Sequence, residues 1–331
     1  MSSRYRRCPT SDRGGFLTTT SAAVLLASAL TSCGVDTTTP EVAGRDFTGT
    51  VRLDDGRELY LECRGTGSPT VVLQSGYGNA ADVWSLAEAY PPAVLPGLSA
   101  YTRVCAYDRP GALLTTTDSD GTVVPSPVDS PGRSDQVPMP RNTADVVAEL
   151  HELLATAGEQ GPFVLVGHSL GGALSLLYAR THPGEVQGLV TVDAAQPELR
   201  SMLAPQEWAL FADLRMSPDS YPSGYQAEAY SVDELFDRIE AAPPLPAIPV
   251  VVMVRGEPNP IPDPLPPNVT AESLQKVNDT WPRSQAAFAA GVPGAEIVTV
   301  PGTTHYVQTQ RPDSVIDATK SVIARATSAP R

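Results

Sequence analysis

The segment Gly167–Gly172, which reads GHSLGG, follows directly on the apolar run Phe163–Val166. An apolar run that stops at a serine between glycines and continues in small residues predicts a strand, a sharp turn and a helix. Such a turn exposes the Ser169 hydroxyl at the carboxyl end of a sheet, and the next backbone N–H groups point to the same place. The glycines remove Cβ atoms that would clash in the turn. We interpret Ser169 as a nucleophile; the alternative is a surface serine in an ordinary glycine-rich turn.

Strand and helix signals alternate along the chain. The runs that predict strands are Pro69–Gly76, Thr102–Tyr107, Phe163–Val166, Gly188–Val192, Pro249–Val254 and Ala295–Val300. One predicted helix begins at Asn142 or Thr143 and another covers Leu170–His182. Strands that are apolar on both faces and separated by helices are typical of a parallel sheet covered on both sides. The fold class is therefore α/β.

Residues 197–247 interrupt this alternation. They carry six aromatic side chains, which are Trp208, Phe211, Tyr221, Tyr225, Tyr230 and Phe236. An insertion of this size above the carboxyl ends of the strands would cover the nucleophile as a cap. We expect most of these aromatic side chains to pack within the cap and a minority to face the substrate.

Composition limits the classes of partner. The chain has 331 residues, enough for one large α/β domain or two small ones, and 41% of them are hydrophobic. A formal net charge of −14 disfavours binding to nucleic acid and to anionic lipid surfaces. The cysteine and histidine spacings match no zinc pattern, so we expect neither a metal nor another cofactor. The sequence carries no signal for an oligomeric state.

Residues 1–32 have the pattern of an export signal. Arginines at positions 4, 6, 7 and 13 precede the apolar and small-residue run Phe16–Leu30. That run is too short and too rich in Thr and Ser to be a stable membrane span.

The segment Leu30–Gly34 resembles the lipobox of bacterial lipoproteins, in which the cysteine is lipidated. This resemblance implies that Cys33 carries the lipid and that residues 33–45 form a tether. We therefore expect an exported, cell-surface lipoprotein whose only membrane contact is the anchor at Cys33. The alternative is an incidental cysteine after a plain secretory signal.

A serine nucleophile requires a base, normally a histidine, and the chain has four histidines. His151 lies on an amphipathic helix, and His182 lies at a helix end before proline. His168 precedes the serine, and its side chain is expected to point away from the nucleophile. His305 follows the last predicted strand on a glycine-containing loop, from which it can reach the serine. We interpret His305 as the base.

With these residues placed, the chain resembles the α/β-hydrolase fold family. The resemblance covers nearly all of residues 46–325 and is strongest to exported esterase-like members. It rests on the GHSLGG turn, the order of serine before histidine, and the segments Ser75–Gly78 and Tyr107–Gly111.

The resemblance implies a mostly parallel sheet with helices on both faces and a cap insertion between its sixth and seventh strands. The hydrolase core would then comprise residues 46–196 and 248–331, and the cap residues 197–247. The family's oxyanion hole would be formed here by the backbone N–H groups of Tyr77 and Leu170.

The implied activity is hydrolysis of a small-molecule carboxylic ester through an acyl-enzyme on Ser169. Other serine-dependent acyl chemistry is one alternative: hydrolysis of peptides, thioesters or lactones, or acyl transfer. A non-catalytic lipoprotein that binds a ligand is the other.

The position of the acid departs from the family pattern. Members usually carry an aspartate shortly after the seventh strand, where this chain has Asn259. An asparagine can orient histidine but cannot stabilise imidazolium electrostatically. We choose Asp193, which ends the preceding strand, and retain Asp263 and Glu257 as alternatives. The alternative for Asp193 is an aspartate that caps a helix or braces a loop at a strand end.

Cys63 and Cys105 lie in strand-like runs. In the family's sheet these would be the second and fourth strands, which are neighbours. In an oxidising compartment they are candidates for a disulfide, and two buried free thiols are the alternative.

Overall fold

One eight-stranded sheet organises the structure, a computed structural model that describes residues 44–117, 123–125, 131–210, 212–215, 225–265 and 269–328. These residues belong to one unit, Thr39–Arg331. The strands of the sheet are β1 (Phe47–Arg52), β2 (Glu58–Arg64), β3 (Val71–Gln74), β4 (Val104–Tyr107), β5 (Phe163–His168), β6 (Val186–Val192), β7 (Val250–Arg255) and β8 (Glu296–Val300).

The strand order is β1-β2-β4-β3-β5-β6-β7-β8. The β1–β2 and β2–β4 pairs are antiparallel, and every other pair is parallel. The parallel strands β3 to β8 therefore end at the same edge of the sheet, and their carboxyl ends can supply one site. The predicted α/β fold with a mostly parallel sheet is confirmed.

Helices cover the sheet on both faces. They are α1 (Val94–Ser99), α2 (Thr143–Thr156), α3 (Leu170–Thr181), α4 (Glu198–Met202), α5 (Pro205–Trp208), α6 (Val232–Ala241), α7 (Ala271–Gly291), α8 (Val307–Gln310) and α9 (Pro312–Ser328). Successive residues of β5 enter opposite cores: Leu165 packs in the cluster with α2 and α3, whereas Val164 and Val166 pack in the cluster with α1 and α9.

The strand β8 differs from this pattern. Four of its five residues are exposed, with Ile297 at 47% and Val298 at 36% of their full exposure. The expectation that Ala295–Val300 is covered on both faces is therefore wrong. The reason is position, because among the described strands β8 lies at the edge of the sheet and pairs only with β7.

Between β6 and β7 the chain forms α4, α5 and α6 together with a short antiparallel pair, Asp213–Arg215 with Ala229–Ser231. This is the segment predicted as a cap; its Phe211 and Tyr221 lie outside the described residues. A second short pair joins Thr115–Thr117 to Val123–Pro125. Helix α7, for which there is no prediction from the sequence, follows β7.

Cys63 on β2 and Cys105 on β4 are register partners joined by a disulfide, with an S–S distance of 2.08 Å. The bond links the antiparallel strands to the parallel part of the sheet.

The predicted signal segment 1–32 and Cys33 lie outside the described residues, as does the tether up to residue 43. Within the described part of the chain, we find no helix with the length and apolar character needed to cross a membrane.

Candidate active site

Ser169 lies between the end of β5 and the start of α3, with φ 53° and ψ −121°. A non-glycine residue with positive φ is uncommon and strained, which is typical of functional turns. The flanking glycines are required by close approaches: a Cβ at Gly171 would lie 2.3 Å from the carbonyl oxygen of Gln74, and one at Gly172 2.3 Å from Ala194 Cβ. The sharp turn predicted from the sequence is therefore present.

A hydrogen-bonded chain joins Ser169, His305 and Asp193. The distance from His305 Nε2 to Ser169 Oγ is 2.9 Å, and the distance from His305 Nδ1 to Asp193 Oδ2 is 2.7 Å. An ionised carboxylate only accepts hydrogen bonds, so Nδ1 carries the proton and Nε2 can accept from the serine hydroxyl. The structure thus brings together the three residues chosen from the sequence.

Asp193 is fully buried and has φ 42°. Besides His305, it accepts from Arg255 Nη1 at 3.0 Å, from the Arg255 backbone N–H at 3.3 Å and from Trp281 Nε1 at 3.0 Å. Burial raises the pKa of Asp193, but the hydrogen bond and electrostatic interaction with His305 and the charge of Arg255 outweigh it. The net pKa lies below the ordinary value, so the carboxylate stays ionised.

Asn259 occupies the position where the family usually has its acid, and it contacts the histidine in another way. Its Oδ1 accepts a hydrogen bond from the backbone N–H of His305 at 3.1 Å, so it holds the loop rather than the ring. Asn278 on α7 fixes Asn259 by two hydrogen bonds, of 3.1 and 2.8 Å. The side chains of Glu257 and Asp263, the alternative acids, are exposed, and the structure shows no hydrogen bond from either to His305.

The expectation that His168 points away from the nucleophile is wrong. Its ring lies 4.6 Å from the ring of His305 and borders the same cavity as Ser169. Side chains alternate only along extended backbone, and Ser169 leaves that conformation. His168 Nε2 donates to the His305 carbonyl oxygen at 2.8 Å, and burial lowers the pKa of His168 to about 3. The ring is neutral and supports the loop of the base.

The residues proposed for the oxyanion hole border the cavity beside Ser169. Leu170 is the first residue of α3, where a backbone N–H has no partner within the helix and the helix dipole favours negative charge. Tyr77 lies in the turn that follows β3. Both residues therefore line the cavity that holds the serine, where the oxyanion hole is expected.

The cavity above Ser169 measures about 570 Å³. One wall comes from the segment between β6 and β7 and consists of Leu199, Trp208, Leu210, Val232 and Phe236. Another wall comes from the segment that follows β7 and consists of Pro260, Pro262, Val269, Leu274, Val277 and Trp281. Among the described residues that line this cavity, none is acidic, and the one charged side chain, Arg255, is paired with Asp193.

Arg255, Trp281 and Asn278 are not among the residues predicted from the sequence. Arg255 could have been found, because it ends β7 beside the strand that carries Asp193. Trp281 and Asn278 lie on α7, and nothing local in the sequence signals their contacts. The one group of potential metal ligands within the described ranges, Cys63, Cys105 and Glu159, has both sulfur atoms engaged in the disulfide.

Comparison with known proteins gives partial matches at the sequence level. An uncharacterized protein of Schizosaccharomyces pombe is 39% identical over 162 residues, or 43% of this chain and 27% of the relative. A protein named probable proline iminopeptidase, of Streptomyces coelicolor, is 31% identical over 158 residues, or 47% of this chain and 42% of the relative. The chain therefore spans less than half the length of either curated relative.

The fold match extends further. A thermophilic esterase from Thermogutta terrifontis has a TM-score of 0.50 at 17% identity, over 85% of this chain and 99% of the esterase. The model of the Alpha/beta hydrolase family matches residues 71–318, which is most of the chain. The strand order, the serine turn at the end of β5 and this match agree, and the chain belongs to the alpha/beta hydrolase family.

Proposed function

We propose that the protein is a serine hydrolase that cleaves carboxylic esters through an acyl-enzyme on Ser169. The observation that carries this proposal is the hydrogen-bonded chain from Ser169 through His305 to the buried, ionised Asp193. A serine hydroxyl is a weak nucleophile, and this arrangement supplies the base and the group that orients it.

In acylation, Ser169 Oγ attacks the ester carbonyl carbon while His305 Nε2 takes the hydroxyl proton. Asp193 stabilises the imidazolium that forms, and the amides of Tyr77 and Leu170 donate to the oxyanion. His305 then gives its proton to the leaving alcohol as the acyl C–O bond breaks.

In deacylation, water attacks the acyl carbonyl and His305 again takes the proton. The second tetrahedral intermediate collapses, the carboxylic acid leaves and Ser169 regains its proton. His305 accepts and returns the proton in both steps.

The cavity favours an uncharged ester with a sizeable apolar group. Its two walls are aliphatic and aromatic, so burying an apolar acyl or alcohol group there is favourable. A peptide with a free amino terminus would bury an ammonium group, and no acidic side chain lines the described part of the cavity to pair with it. This contrast favours neutral esters over amino-terminal peptides.

We also propose that residues 197–247 act as the cap. The support is that Leu199, Trp208 and Phe236 of this segment form one wall of the cavity. Trp208 and Phe236 pack on each other with ring centroids 5.5 Å apart, so these aromatic side chains serve both the segment's own packing and the cavity.

The direct test is hydrolysis of a panel of p-nitrophenyl esters with acyl chains of two to twelve carbons, set beside anilides and lactones. We expect the esters to be cleaved fastest, with kcat/KM rising with chain length until the cavity is filled, and Ser169→Ala to abolish the activity. If the anilides or lactones are cleaved faster than the esters, amide or lactone hydrolysis would take the place of ester hydrolysis as the proposed activity.

Export and a lipid anchor at Cys33 remain part of the proposal. The Cys63–Cys105 disulfide supports an oxidising compartment. Expression of the full chain in a bacterial host with a labelled fatty acid tests it: the wild type should carry the label in the membrane fraction and Cys33→Ala should not. Equal labelling of both would rule out Cys33 as the lipidation site.

A further inference from the structure

A buried ion pair lies beside the turn that carries Tyr77. Arg109 follows β4, and Glu228 lies in the segment between β6 and β7; both side chains are 0% exposed. Arg109 Nε is 2.7 Å from Glu228 Oε1, and Nη2 is 3.1 Å from Oε2. Burying two charges is costly unless their remaining donors and acceptors are also paired, so the other contacts of this pair are informative.

Arg109 uses its other donors on the turn. Nη1 donates to the carbonyl oxygen of Ser75 at 2.8 Å, and Nη2 donates to that of Gly76 at 2.7 Å. The peptide between Gly76 and Tyr77 is trans, so its carbonyl oxygen and the Tyr77 N–H point in opposite directions. Fixing the oxygen therefore fixes the direction of the N–H, and a cation on the oxygen also polarises the N–H as a donor.

Glu228 holds the other side of the same turn. Its Oε2 accepts from the Gly78 N–H at 2.8 Å, and its backbone oxygen accepts from the Tyr77 hydroxyl at 2.9 Å. Tyr230 donates to Oε1 at 3.1 Å. Burial alone would lower the pKa of Arg109, but the charge of Glu228 outweighs burial and raises it. Arg109 thus stays charged, and both members of the pair contact peptide groups that flank the Tyr77 amide.

We propose that Arg109 and Glu228 are positioning residues that aim the Tyr77 amide at the oxyanion. This role rests on the ester hydrolysis proposed above. Because Glu228 belongs to the segment between β6 and β7, that segment helps to build the oxyanion site as well as to cover it.

The chain contains a matched control pair at the other end of β4. Arg103 directly precedes this strand, and its Nη2 is 2.7 Å from Glu159 Oε1, with side chains 2% and 3% exposed. Arg103 also donates to the backbone oxygens of Arg45 and Gly65, neither of which belongs to the turn at Tyr77. Glu159→Gln therefore removes the charge of a buried arginine partner without touching the turn.

The experiment compares wild type, Glu228→Gln and Glu159→Gln in steady-state ester hydrolysis and in binding of an alkyl trifluoromethyl ketone, which forms a tetrahedral adduct with serine. We expect Glu228→Gln to lower kcat by about 10–100-fold with KM changed by less than about threefold, since one oxyanion donor is worth about 100-fold or more. The Kd of the ketone should rise by the same factor as kcat falls. Glu159→Gln should lower the Tm but keep kcat and the ketone Kd within about threefold.

If Glu228→Gln does not fold, Glu228→Asp provides a second variant. It keeps the carboxylate but moves it away from the Gly78 N–H, so we expect smaller decreases in kcat and in ketone affinity. Equal kcat and ketone affinity in the Glu228 and Glu159 variants would overturn the positioning role while leaving ester hydrolysis intact. A wild type without Ser169-dependent hydrolysis would overturn the proposed function itself, and the positioning role with it.

Discussion

The nucleophile side of the site and its acid side are built in different ways. Ser169 and Leu170 are adjacent in sequence, and a single strand, turn and helix present the hydroxyl and an amide together. The acid side combines Asp193 from the end of β6, Arg255 from β7 and His305 from the loop after β8, together with α7. The first region depends on backbone geometry and the second on a network of side chains. Single substitutions in the second region should therefore lower kcat by different amounts, according to the contact that each one removes.

The largest effect is expected at Asp193. Asp193→Asn removes the charge that stabilises imidazolium and leaves the buried Arg255 without its anionic partner, so kcat should fall by about 10⁴-fold. The exposed carboxylates that follow β7 provide controls: Glu257→Gln and Asp263→Asn should change kcat less than about twofold. A large loss in either control, with activity kept in Asp193→Asn, would move the acid to that residue.

The second largest effect is expected on stability, at the disulfide between β2 and β4. The Cys63–Cys105 disulfide closes a separation of 42 residues on β2 and β4, and replacing both cysteines by alanine should lower the free energy of unfolding by about 2–4 kcal/mol. Urea unfolding measures this change. At temperatures well below the Tm, the kcat of this variant should stay within about twofold of the wild-type value. A lower kcat in the folded variant would mean that this part of the sheet also shapes the site.

A smaller effect is expected at Asn259. Asn259→Ala removes the acceptor for the His305 backbone N–H and should lower kcat by about tenfold, the equivalent of one hydrogen bond. Because Asn259 contacts the backbone and not the ring, Asn259→Asp should fail to restore activity to Asp193→Asn. Rescue in that double variant would show that the position after β7 can still serve the histidine as an acid.

The last effect is a change in the pH dependence of stability. The pKa of His168 is about 3 in the folded protein, against about 6.5 in the unfolded chain. The unfolded state therefore binds one more proton between these values, and stability is lost as pH falls through this window by about 1.4 kcal/mol per pH unit. His168→Gln, which keeps an N–H donor, should flatten this slope between pH 6 and 4 in urea unfolding. Equal slopes in both proteins would mean that His168 does not titrate in this way.

The two regions also differ in how far their residues could be predicted from the sequence. The turn at Ser169 was predictable because its glycines and its apolar strand are contiguous, and the α/β sheet followed from apolar runs separated by helices. The base could be chosen by its place after the last strand. These signals are local or depend on order along the chain.

Contacts between segments that are distant in sequence could not be predicted from such signals. Trp281 and Asn278 reach the acid side only because α7 packs over the ends of β6 and β7, and Glu228 reaches the turn after β3 from a segment some 150 residues away. The orientation of His168 was missed because the strained backbone at Ser169 ends the alternation of side chains. The exposure of β8 depends on its place at the sheet edge, which the composition of the strand does not reveal.

The central claim is that Ser169 is the nucleophile of an ester hydrolase, and intact-mass spectrometry with a fluorophosphonate tests it most directly. The wild type should gain one phosphonyl group, peptide mapping should locate that group on Ser169, and ester hydrolysis should decline in step with labelling. Ser169→Ala should neither gain the group nor hydrolyse the ester. Labelling at another residue, or full ester hydrolysis by Ser169→Ala, would contradict the claim.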